Sequence, residues 1–137
     1  MKLRLDFEKA FGNMIRDNEK LADKAAEIAK EAIEEQSKSL FGEYYDGLAR
    51  HDNRGKALDS LEMDPVTQDG NVIYSKVGTS YKRNPKGYLH ARFQEFGAVR
   101  KDGVVTFVAD PWKVPADVKI ASKFRKIALE IIRRRMQ

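Results

Sequence analysis

Cysteine is absent from the 137 residues, which excludes a disulfide framework and a thiolate metal site and leaves the fold to its apolar core. Histidine is scarce, with only His51 and His90. There is no Gly-x-Ser-x-Gly, phosphate-loop or His-Glu-x-x-His pattern, so the common hydrolytic, nucleotide-dependent and zinc-dependent enzymes find no foothold and no cofactor is implied. No apolar run approaches the roughly eighteen residues of a membrane span. The charged start Met1-Lys2-Leu3-Arg4-Leu5-Asp6 lacks the apolar stretch of a signal peptide. These absences predict a soluble, unprocessed chain with no membrane partner and no small-molecule substrate. Internal repeats and low-complexity tracts are missing as well.

The length fits a single domain, 1–137, and a chain of this size buries roughly two-thirds of the surface its unfolded form exposes. The net charge of +5 is unevenly spread. Residues 1–37 hold seven Lys or Arg against nine Asp or Glu, whereas residues 115–137 hold seven basic against two acidic. Such polarity suits either a surface that meets phosphate or two complementary faces that join identical subunits head to tail.

From Asp6 to about Gln36 apolar residues recur at three- and four-residue spacings, from Phe7 and Phe11 through Ile28 and Ile33, with no proline. This pattern predicts a long amphipathic helix with pairs such as Glu27 and Lys30 on its solvated face. Gly42, Gly47 and Gly55 then interrupt an aromatic and polar stretch, so 37–55 is expected to be a loop with at most a short helical turn. Asp69-Gly70 marks a tight hairpin turn before a β-rich run, Val72 to Val77, with Val72, Tyr74 and Lys76 on one face and Ile73, Ser75 and Val77 on the other. Pro65 keeps the first arm short or at an edge. The segment 79–87 reads as a basic, turn-rich loop, and 104–108 as a further strand. Pro115 opens a last helix to about Met136 whose apolar arc includes Ile120, Ala121, Phe124, Ala128 and Ile131. The sum is an α+β domain: a long N-terminal and a C-terminal helix packed on a small antiparallel sheet, with a short helix between strands.

That short helix is Tyr88-Leu89-His90-Ala91-Arg92-Phe93-Gln94-Glu95-Phe96, stopped at Gly97. Helical spacing puts Phe93 and Phe96 on one face, expected to be the core, and Arg92 and Glu95 on a neighbouring one. The stretch resembles the aromatic-Glu-Phe-Gly signature of a family of tailed-bacteriophage proteins that complete the tail and join it to the head. Asp110-Pro111-Trp112 resembles that family's Pro-Phe element, with Trp in place of Phe. Ala98 stands where the family has a small or hydroxyl residue after its glycine. Residues 52–61 match its polar, glycine-containing segment and helical turn, but without the commoner Thr-Gly-x-Leu wording.

The resemblance implies a non-enzymatic virion protein, assembled in the bacterial host cytoplasm into a ring expected to be hexameric. Its partners would be its own copies, the tail tube, the head connector and, transiently, genomic DNA. Arg92, Glu95, Ala98, Arg100 and Lys101 would meet subunits or partners. Phe93, Phe96, Gly97, Pro111 and Trp112 would anchor the structure, and Lys82, Arg83 and Lys86 could touch DNA. Two other readings compete. One is a small basic protein binding nucleic acid without sequence preference, using that loop or Arg133, Arg134 and Arg135. The other is a metal-free, toxin-like ribonuclease with His51 or His90 as base and Arg92 or Glu95 as partner.

Overall fold

The computed structural model describes residues 1–6, 19–51 and 56–136. In chain order the elements are β1 (Lys2–Asp6), α1 (Glu19–Ala49), α2 (Lys56–Asp59), β2 (Leu61–Met63), β3 (Thr67–Asp69), β4 (Val72–Thr79), α3 (Pro85–Phe96), β5 (Ala98–Val99), β6 (Val105–Phe107) and α4 (Lys113–Met136). The architecture is the expected α+β arrangement.

The chain start is a strand. Leu3 and Leu5 are buried while Lys2 and Arg4 are exposed, the two-residue alternation of a sheet with one face on the core. Asp6 therefore ends a strand, and the expected helical residues Phe7, Phe11, Met14 and Ile15 lie outside the described residues. β4 is the central strand: Leu3 faces Ser75 and Leu5 faces Ile73 on one side. On its other side Met63 faces Val77 and Gln68 faces Ile73. β2 and β3 are two short arms interrupted at 64–66 around Pro65, which cannot donate to the ladder. Asp64 still closes the gap, its amide donating to Lys76 O at 2.9 Å and its carbonyl accepting from Ser75 Oγ at 2.9 Å. The turn at Gly70 has φ 58°. Ile73, Ser75 and Val77 face inward as the alternation requires.

α1 runs 31 residues and ends at Ala49, so 37–49 of the stretch expected to be a loop are helical, while 52–55 lie outside the described residues. Its buried positions Ala25, Ala29, Ile33, Leu40, Tyr44 and Leu48 continue at one-turn spacing past Gln36, and that packing outweighs the roughly 1 kcal/mol that each interior glycine costs a helix. Gly47 marks a close approach, because a Cβ there would stand 2.8 Å from Trp112 Cβ. The expected Glu27–Lys30 pair does not form; Glu34 and Lys38, a full turn apart, pair at 3.2 Å. α1 packs along α4 and across the sheet. The alanines of the α1 seam let it lie close to Ala116, Ile120, Ala128 and Ile131 of α4. Ala121, expected in that arc, is exposed.

Candidate functional site: a capped junction carrying an apolar hairpin

α3 begins three residues earlier than its aromatic stretch suggests. Pro85 occupies the first turn and the Asn84 side chain accepts from Gly87 N at 3.0 Å, a proline-and-cap start that satisfies one of the first-turn amides. Its end is as expected: Gly97 takes φ 76° and its amide donates to Phe93 O at 2.7 Å.

The face that α3 buries is Gly87, Ala91, Gln94 and Glu95. This reverses the expected orientation. Phe93 is 44% and Phe96 72% exposed, so neither is a core anchor. Glu95, expected at a subunit contact, is buried, and its carboxylate is consumed inside the molecule. Oε2 accepts the amides of Trp112 at 2.7 Å and Lys113 at 2.8 Å, and Oε1 accepts that of Val114 at 3.1 Å. These are the otherwise unpaired N–H groups at the start of α4. A side chain from a preceding helix thus supplies the cap, with negative charge at the positive end of the α4 dipole.

Trp112 anchors the same junction, as expected. Its indole Nε1 donates to Ala91 O at 2.7 Å, and its ring meets Tyr44 edge-on at 5.1 Å between centroids. Tyr44 donates to the Asp117 carboxylate, which also pairs with Lys113 Nζ at 2.6 Å. Burial, and then that bond to Asp117, push the Tyr44 phenol above its ordinary range. Gln94 ties α3 to α1, donating to Gly47 O at 2.7 Å. Its carbonyl accepts the Asp110 amide at 2.7 Å.

A second clasp lies at the α1 C-terminus. Arg50 holds Asp110 through Nε at 3.2 Å and Nη2 at 3.0 Å, and His51 Nε2 lies 2.5 Å from the same carboxylate. Arg50 foremost, then His51, draws the Asp110 carboxyl below its usual range. Pro111 is exposed, contributing its carbonyl to Arg50 at 3.0 Å. The anchor at this step is therefore Trp112 and not Pro111.

Between these two fixed points stands the β5–β6 hairpin, in which Ala98 faces Phe107 and Val99 faces Val105 across a bulge. Arg100 pairs with Asp102 at 2.8 Å in the turn, and Lys101 is exposed at the tip. Phe107 leans on His51, with ring centroids 6.1 Å apart. Exposed valines run along it: Val99 is 65%, Val104 50%, Val105 57% and Val108 78% exposed. Arg92 extends that surface along α3, its guanidinium 5.9 Å from the ring centres of both Tyr88 and Phe96.

The remaining candidates do not converge on this junction. Arg83 is structural, its Nε donating to Asp59 O at 2.8 Å, while Lys82 and Lys86 are exposed. His90 is exposed on α3. No histidine pairs with Glu95 among the described residues: His51 bonds to Asp110, and the Glu95 oxygens accept backbone amides. Among the described residues no helix is long and apolar enough to cross a membrane, and no group of His, Asp and Glu is placed to hold a metal ion. Sequence reasoning missed Gln94, Gly47 and the Arg50–Asp110 clasp. The one-turn spacing of Gly87, Ala91 and Glu95 was the available signal, and it points inward only once small and polar residues are admitted as a packing face. No family model, curated protein or solved structure matches the chain.

Proposed function

We propose that this protein is a structural component of a tailed-bacteriophage virion that completes the tail and joins it to the head. On this reading identical subunits form a ring around the DNA path, and no bond chemistry is involved. The observation that carries the reading is the stretch between Phe93 and Val108, where six large apolar residues (Phe93, Phe96, Val99, Val104, Val105 and Val108) are each more than two-fifths exposed. Exposed large apolar side chains concentrated in one stretch of chain are expected at protein contacts, where aromatic residues and arginine are enriched.

The rigidity beneath that surface supports the same reading. Glu95, Trp112 and the Asp110 clasp fix both ends of the hairpin, so little ordering entropy is lost when a partner covers it. Arg92, Ala98, Arg100 and Lys101 belong to this contact surface, and Glu95 acts beneath it. The partners are other copies of the chain, the tail tube and the head connector.

Electron microscopy of the protein mixed with uncapped tail tubes tests the proposal. A ring at one end of the tube is expected. A protein that remains monomeric and leaves the tube ends bare would overturn it.

A further inference from the structure

Positive charge is concentrated on one element after the ion pairs are assigned. α4 carries eight basic residues against two acidic, and α1 carries eight acidic against four basic. Two ion pairs link these helices among the described residues, Lys119 with Glu43 and Arg135 with Glu31. Lys123, Arg125, Lys126, Arg133 and Arg134 are exposed and engage no ion pair or side-chain hydrogen bond among the described residues.

Helical geometry sets Lys123, Lys126 and Arg133 on one outward face, with Lys119, already paired with Glu43, at its start and Arg134 at its margin, and Glu130 is the sole acid among them. At about 1.5 Å per residue the stripe is about 22 Å long, over which one strand of a duplex presents roughly six phosphates.

We propose that the outward face of α4 is a track for the phosphate backbone of nucleic acid, bound by charge and without base reading. The opposing face of a second copy is a poorer match. The outward acids of α1 alternate with Lys24, Lys30 and Lys38, and Glu31 and Glu43 are already held by their own α4. A line of basic side chains broken by a single acid instead suits a phosphodiester chain. The face carries no exposed aromatic for base stacking and no Asn or Gln for base edges, so no sequence preference is expected. The track rests on charge placement alone and needs no ring.

Fluorescence anisotropy of the full chain with a labelled duplex of about 30 base pairs tests it. Micromolar binding is expected, with a slope of about −3 to −4 in log affinity against log salt, for roughly four phosphates contacted. The paired reversal Lys123→Glu and Lys126→Glu should lower affinity more than tenfold with an unchanged circular-dichroism spectrum. Lys82→Glu with Lys86→Glu, in the loop before α3, should leave binding unaltered. The proposal is overturned by no binding at about 50 mM salt, or by loss of binding only in the loop variant. Low-salt self-association that the α4 variant abolishes, without DNA binding, would also overturn it and assign the face to a second copy.

Discussion

Glu95 shows how one side chain decides the placement of a helix. Three amides at the start of α4 converge on its two oxygens, in a site with little water to replace it. Glu95→Ala should cost about 2–4 kcal/mol, the sum of a lost cap and buried amides left unpaired. Glu95→Gln, which keeps an acceptor oxygen, should recover part of that. Urea unfolding checks both, with the midpoint falling in that order and the slope unchanged. Trp112→Phe keeps a ring against Tyr44 but abandons the bond from Nε1 to Ala91 O, so a loss of about 1–2 kcal/mol is expected by the same measurement. The Asp110 carboxyl has its pKa depressed in the fold, and so has that of Glu31 beside Arg135. A depressed carboxyl contributes stability above its unfolded pKa, and that contribution is lost as pH falls through the folded value. The melting temperature should therefore hold above about pH 5 and fall below about pH 4. Asp110→Asn should flatten the fall; an unchanged profile in that variant would remove the clasp from the account.

At the scale of elements, the long helix is where local signals and tertiary packing disagree. Gly42 and Gly47 read as breaks, yet Leu40, Tyr44 and Leu48 keep the helical stripe running, and Gly47 exists beside Trp112 because no side chain fits. Gly47→Ala should thus destabilise by about 1–3 kcal/mol through overpacking, even though alanine is the better helix former. A rise in melting temperature would show that Trp112 can yield. The hairpin at Asp69-Gly70, the inward alternation of Ile73, Ser75 and Val77, the cap at Gly97 and the last helix were all legible, because each is written in neighbouring residues. β1 was not, since its two leucines alternate over only five residues and its partner strand lies some seventy positions away. Nor was the orientation of α3. Phe93 with Phe96 and Arg92 with Glu95 have the same spacing, and hydropathy favours the phenylalanines inward. What turns the helix over is a set of hydrogen bonds in which the Gln94 side chain donates to Gly47 O while Glu95 and the backbone carbonyls of Ala91 and Gln94 accept from residues 110–114. No local pattern announces bonds to such distant backbone.

Taken whole, the molecule separates two surfaces. An apolar one runs from the end of α3 through the β5–β6 hairpin, and a basic one follows the outer face of α4. Their chemistry differs enough that each should be removable without the other. Phe96→Ser with Val105→Ser should abolish decoration of tail tubes while changing folding stability by less than about 1 kcal/mol, as exposed substitutions do. DNA affinity should be retained in that variant. Hydrogen exchange across residues 93–108, recorded for the protein alone and on uncapped tail tubes, tests the central claim most directly. The hairpin amides should slow markedly on the tube while those of residues 119–134 keep their rates. Binding that leaves the hairpin amides unchanged would contradict it.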